Sequence, residues 1–195
     1  YIANYGADAL RLYLMFTGPY DQGGDFRDSA MEGMSRWVQK VWRMAQKSLD
    51  KHSPDSSATI KKALHRAIKK VGEDIERRRY NTAIAAMMEL VNTMTDEKGV
   101  MALTDLGEFL KILAPFAPYM TEELYQMINT SKDTFTKSNS IHFQPWPAYD
   151  PKILEEDTVQ IAVQVNGKLR DAIVVKSQKS KVKSEVEDAA RKSEK

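Results

Sequence analysis

Cysteine is absent from the 195 residues, which excludes disulfides and thiolate metal sites and fits a reducing cytoplasm. Long apolar runs are absent too. No stretch approaches the roughly 18 apolar residues a membrane span requires, and Tyr1 to Phe16 lack the basic, apolar and small-residue order of a signal peptide. The expectation is a soluble, cytoplasmic protein with no membrane partner. The three histidines, His52, His65 and His142, lie far apart in sequence, so each is expected to serve on the surface or in packing rather than on a metal. Asp21-Gln22-Gly23-Gly24-Asp25 has no preceding strand and no following phosphate-loop lysine, so it reads as a turn. No Ser or Thr stands at a spacing that proposes an activated nucleophile. No catalytic residue, metal ligand or cofactor site is expected within this sequence.

What is present is a hydrophobic fraction of 42%, enough for one full domain plus a smaller second one. The formal charge of +2 conceals an asymmetry. From Arg36 to Arg79 there are thirteen Lys/Arg against five Asp/Glu, a local charge of +8, which leaves −6 for the remainder. Such a distribution suits a polyanionic partner, and it also suits a merely solvated helical face.

Periodicity organises the first 130 residues. Tyr5 to Phe16 reads as a helix with Leu10, Tyr13 and Leu14 on one side, ended by Gly18-Pro19. Ser29 followed by Glu32 predicts a capping box opening a helix to about Leu49, with Met34, Trp37, Val38, Val41 and Ala45 inward. Asp50 to Ser57 is a loop. Ile60, Leu64, Ile68, Val71 and Ile75 define a second long helix to about Arg78. Asn81 is expected to cap or kink the chain into a third, whose apolar side is Ile84, Met87, Met88, Val91 and Met94. Leu106, Phe109, Leu110 and Leu113 mark a fourth, ended by Pro115. Pro118 suits the first turn of a fifth, with Glu122 and Glu123 near its positive end. Five helices with short connections imply a mainly α protein, an antiparallel helical bundle.

Beyond Trp146-Pro147 and Asp150-Pro151, read as a linker, the period changes. Val159, Ile161, Val163 and Val165 alternate with Gln160, Ala162 and Gln164, which is a strand, and Asn166-Gly167 announces a β-hairpin. Parity favours a three-residue loop, Val165 to Gly167 with Gly167 left-handed, because that sets Val159, Ile161 and Val163 beside Leu169 and Ile173. Lys168 and Arg170 would then share the outer face with Gln160 and Gln164. An unpaired strand edge there could dock on a second copy, giving a weak or crystal homodimer. The expected domains are a helix-and-loop connection over 1–27, a bundle over 28–145, a linker over 146–157 and a truncated α+β segment over 158–195. Both ends read as cuts in a longer protein.

The candidate contacts are cationic. Arg36, Lys40, Arg43 and Lys47, at spacings of four, three and four, form one stripe that can follow a phosphate backbone. Lys61, Lys62, Arg66, Lys69 and Lys70 repeat the theme. Arg77 and Arg78, with Arg79, cluster at a helix C-terminus, where the dipole already favours cations. Trp37 is expected in the core. Trp42 falls off the main apolar stripe and could stack on an unpaired base.

The residues also carry a resemblance. Tyr5-Gly6-Ala7-Asp8-Ala9-Leu10-Arg11 resembles the segment that follows the Lys-Met-Ser-Lys-Ser signature of class I aminoacyl-tRNA synthetases. Gly18-Pro19 through Asp25-Phe26-Arg27-Asp28-Ser29, and on to Arg36-Trp37-Val38-Gln39-Lys40-Val41-Trp42-Arg43, resembles the lead into the anticodon-binding-type helical domain of leucyl enzymes. There Phe, Asn and Arg are usual where this chain has Trp37, Gln39 and Lys40, and lysine lacks the planar fork for a bidentate phosphate contact. Asp74-Ile75-Glu76, Tyr80 to Ala85 and Leu113 to Tyr125 are similar to the bundle shared by leucyl, isoleucyl, valyl and methionyl enzymes, with Tyr119 for His and Tyr125 for Trp. Ile161 to Arg170 looks like the start of the small C-terminal domain of bacterial leucyl enzymes.

The resemblance implies a parent that joins leucine to its tRNA using ATP and magnesium and edits by hydrolysis, with catalysis and editing in domains outside this chain. It implies leucine tRNA as partner, alongside those domains, with no DNA. Arg36, Lys40, Arg43, Lys47, Trp42, Arg77, Arg78, Lys168 and Arg170 are then the candidate tRNA contacts. The alternatives are a helical protein-interaction module whose basic stripe is only solvated, and the equivalent domain of a valyl, isoleucyl or methionyl enzyme.

Overall fold

The apolar residues of the longest helix recur at spacings of three and four, and that pattern fixes which side faces inward. In the computed structural model, residues 1–19, 21–22, 24–97, 99–129 and 135–155 are described, together with the backbone of 158–165 and 168–176. The chain divides into two compact units, Tyr1–Ile153 and Leu154–Lys195. The described part is mainly helical. No described helix is long and apolar enough to cross a membrane.

The first unit is built from α1 (Ile2–Tyr5), α2 (Ala7–Phe16), α3 (Asp28–Lys51), α4 (Ala58–Glu76), α5 (Tyr80–Asp96), α6 (Leu103–Leu113) and α7 (Pro118–Ile128). On α3, Met31, Met34, Trp37, Val41, Ala45 and Ser48 are buried, and Val38 only half so. The Ser29–Glu32 capping box does not open this helix. It begins at Asp28 without a side-chain cap, and its lead-in is held instead by the Tyr13 hydroxyl, which accepts the Arg27 N–H at 2.6 Å. A partner remote in sequence has displaced the local signal.

Helix α2 supplies Ala9, Leu12 and Tyr13 to the same core, whereas Leu14, expected inward, is exposed. Residues 1–27 and the Trp146–Asp150 segment, expected as a connection and a linker, thus fall inside the first unit. Helix α4 is capped by Ser57, whose hydroxyl accepts the Ile60 N–H. It ends in two backbone bonds, Arg79 N–H to Asp74 C=O at 2.7 Å and Arg78 N–H to Ile75 C=O at 3.0 Å, with Arg78 left-handed at φ 55. Those bonds form a Schellman motif. Helix α5 then starts at Tyr80 behind Arg79, so Asn81 is not its cap. The carboxylate of Asp74, 1% exposed, ties the corner by accepting from Lys70 Nζ at 2.5 Å and from the Thr82 hydroxyl at 2.6 Å.

Pro118 occupies the first turn of α7, preceded by Ala117, which has no capping side chain. The missing cap comes from α2: Asp8 accepts the Met120 N–H at 2.6 Å and the Tyr119 N–H at 3.3 Å. Arg11, one turn further along α2, donates to the Pro115 carbonyl at 2.9 Å. A carboxylate thus meets the positive end of α7 and a guanidinium the carbonyl end of α6, as helix dipoles favour. Glu122, expected to serve the α7 dipole, turns elsewhere. It accepts from the Ser140 hydroxyl at 2.6 Å and the Ile141 N–H at 3.1 Å, anchoring a strap formed by residues 135–150.

In the second unit, β1 (Thr158–Val165) and β2 (Lys168–Lys176) pair antiparallel. Val165 pairs with Lys168 and Gln164 with Leu169, while Val163 pairs with Asp171. The three-residue loop is therefore corrected. Pairing continues to Val165, and a bulge between Val163 and Gln164 takes up the extra residue, Arg170.

Candidate nucleic-acid interface

Four of the candidate cations stand on the face of α3 turned away from its buried residues. Arg36, Arg43 and Lys47 are exposed and Lys40 is half-buried, which follows from helical geometry: they sit some 140° around from the core positions at 100° per residue. Arg36 lies 3.8 Å from Glu32, one turn back on the same helix. Lys40 leans toward α5 and donates to the Asn92 side-chain carbonyl at 2.9 Å. Lys40, Arg43 and Lys47 line an open groove with Met44, Met94, Thr95 and Gly99. An exposed ridge of cations beside an apolar floor can hold a phosphate backbone with little reorganisation.

Trp42 lies on the other flank of α3. It is half-buried and, with Val38, Gln39, Arg43 and Met120, lines a second, largely apolar groove. Arg43 borders both grooves, so one guanidinium can serve a phosphate on one side and the edge of a base on the other. Trp37 is 8% exposed and belongs to the core.

Within the first unit, the remaining candidates stand at the end of α4 rather than on α3. Arg77 and Arg78 are exposed at the end of α4, where Arg77 is the cap residue and Arg78 the left-handed one. Among the α4 lysines, Lys61 is engaged by Asp55 at 2.5 Å. That contact raises the Lys61 pKa and lowers that of Asp55 from its ordinary 3.8, in each case chiefly through the hydrogen bond between them. Lys70 is spent on Asp74. Lys168 pairs with Val165 in the backbone and Arg170 lies at the bulge; their side chains lie outside the described residues.

Sequence reasoning missed the strap. Phe143, Trp146 and Tyr149 recur every third residue and are exposed. The Lys137 ammonium lies 4.6 Å from the Phe143 ring centre and that of Lys69 lies 5.7 Å from Tyr149. Aromatics at a spacing of three, flanked by Pro145 and Pro147, were the available signal.

A helical bundle with a ridge of cations and the half-buried Trp42 beside it is an arrangement that can take a nucleic acid. Residues 58–186 match the family described as the anticodon-binding domain of tRNA ligase, and the chain belongs to that family. It is 39% identical over 180 residues to a leucine–tRNA ligase of Dehalococcoides mccartyi, covering 88% of this chain and 21% of that protein. It is 43% identical over 176 residues to the leucine–tRNA ligase of Chlorobaculum parvum, covering 87% and 20%. Among solved structures it resembles the LeuRS–tRNA–LeuAMS ternary complex of Agrobacterium radiobacter, with a TM-score of 0.77 and 26% identity over 98% of this chain and 26% of that one. The chain spans about a fifth of the length of the curated relatives it matches.

Proposed function

We propose that the chain is the tRNA-binding region of a bacterial-type leucyl-tRNA synthetase. It holds leucine tRNA, while ATP- and magnesium-dependent leucylation and editing are carried out by other parts of the ligase. The observation that carries this reading is the ridge of Arg36, Arg43 and Lys47 on the outward face of α3, bordered by Lys40 and the Trp42 groove. Its likeness to leucine–tRNA ligases over nearly nine-tenths of its length supports the amino-acid assignment. The β1–β2 pair is read as the start of the small C-terminal α+β domain.

Such a region serves the reaction by positioning. A tRNA held by its body brings its acceptor end to the reacting centre as a local event rather than a second encounter, and an effective molarity gained this way can be large. Contacts to phosphates carry this hold, so it weakens steeply with salt.

Filter binding of leucine tRNA across a salt series tests the reading. Saturable binding at low salt is expected. The Arg36→Ala/Lys40→Ala/Arg43→Ala variant should bind more weakly, with a salt slope reduced by roughly one for each phosphate it no longer neutralises, while its helical circular dichroism is kept. Absence of saturable binding by the unaltered chain would sink the assignment, and an unchanged slope in the variant would remove the ridge from it.

A further inference from the structure

The strap touches one face of α4 at three positions, spaced four and three apart. The Asp150 N–H donates to His65 Nδ1 at 2.9 Å, Lys69 lies over Tyr149, and the Trp146 indole lies against Gly72, whose missing side chain leaves its nitrogen 3.5 Å from where a Cβ would be. At the other end the Glu122 carboxylate holds Ser140 and Ile141, and Pro147 is buried. The backbone is thereby fixed at both ends. Even so, Phe143 remains 59% exposed, Trp146 44% and Tyr149 39%.

Resting on the RNA-binding reading above, we infer that Phe143, Trp146 and Tyr149 form a second RNA-binding surface, a platform on which unpaired bases stack. Exposed apolar area alone would not choose between a protein and an RNA partner. The cations do. Lys137 and Lys69 lie over the first and last of the three rings in sequence, so positive charge stands beside both, available to the phosphates of a strand whose bases stack there. A ring pinned by a cation on one side also loses less freedom when a base stacks on its open side. No α3 residue takes part, so the platform and the ridge address different portions of the RNA. Every base has a stacking face, so recognition here is for unpaired bases and tolerant of sequence.

Replacing the two outer rings by leucine keeps apolar bulk but removes the π face, which separates base stacking from ordinary hydrophobic burial. The probes are a transcribed leucine tRNA and a fully paired RNA duplex, measured with the whole chain. In the Phe143→Leu/Tyr149→Leu variant, affinity for the tRNA should fall roughly five- to hundredfold, with the salt slope unchanged because every cation that neutralises a phosphate is still in place. Duplex binding should stay as it was, and the Phe143→Tyr/Tyr149→Phe variant should bind tRNA normally. An unchanged tRNA affinity in the leucine variant, or an equal loss on the duplex, overturns the platform while leaving the ridge standing. Failure of the unaltered chain to bind tRNA at all overturns both.

Discussion

Substituting Asp8 tests how far α7 depends on α2. The Asp8 carboxylate, 8% exposed, accepts two main-chain donors at the start of a helix whose own cap residue is Ala117. Hydrogen bonds to a charged group contribute about 1.5–3 kcal/mol each. The Met120 bond, at 2.6 Å and buried, merits that range, but the Tyr119 bond at 3.3 Å is long and lies beside an exposed residue. Water can take over the longer one when the carboxylate goes. Adding a few tenths for the charge at a helix N-terminus, Asp8→Ala should cost about 3 kcal/mol. Asp8→Asn keeps one acceptor oxygen without the charge and should cost about half as much. Urea denaturation followed at 222 nm reads both, and with a slope of about 2 kcal/mol per molar the alanine variant's midpoint falls by roughly 1.5 M. Hydrogen exchange should show the Met120 amide losing protection first. A loss below about 1 kcal/mol for Asp8→Ala, or unaltered exchange at Met120, would show that the first turn of α7 stands without its remote cap.

Arg78→Gly should leave the chain equally or slightly more stable, by up to about 1 kcal/mol, since glycine removes the left-handed strain at φ 55 at some cost in unfolded-state entropy; thermal melts check it, and a clear destabilisation would mean the side chain has a tertiary role. Trp37→Ala should cost about 3–5 kcal/mol. Trp37→Phe should be nearly neutral, because it removes an indole N–H that has no acceptor among the described residues and so offsets the lost volume; chemical denaturation of both variants decides whether the core reading is right. Lys61→Ala should let the Asp55 carboxyl rise toward its ordinary 3.8, which a carbon-13 NMR titration would detect. The sign follows from the shift: a depressed folded pKa means this ion pair stabilises above the unfolded value, and that stabilisation disappears as pH falls through the folded one.

The long helices were readable because burial imposes a period, and Ile60, Leu64, Ile68 and Val71 had no other face to offer. Pro118 announced its own position for a similar local reason. Features that depend on distant partners were not readable. Asp8 looks like any aspartate in a first turn, and only the fold reveals that its acceptors serve residues more than a hundred positions away. Parity in the strands could fix which residues share a face away from the tip but not which oppose one another, and a longer loop and a bulge at Arg170 shift parity alike, so sequence could not choose between them. At the candidate interface, the α3 cations were legible as a stripe. The aromatic platform was not, because a proline-flanked segment carries no periodic burial signal and only tertiary anchoring at Glu122 and α4 turns it into a surface.

The α4–α5 and α6–α7 corners of the bundle differ in where their closing groups come from. At the α4–α5 corner, the Schellman bonds and the Asp74 tie all fall between residues 70 and 82. Loop closure over so few residues costs little entropy, so this hairpin can assemble early and by itself. The α6–α7 corner is finished by side chains that leave the ribosome more than a hundred residues ahead of it. During translation the Asp8 carboxylate must therefore stay hydrated until Met120 has emerged, so the tie from α2 to α7 closes only after α3, α4 and α5 have been made. A version of the chain that begins after residue 8 would forgo that lock while retaining every long helix.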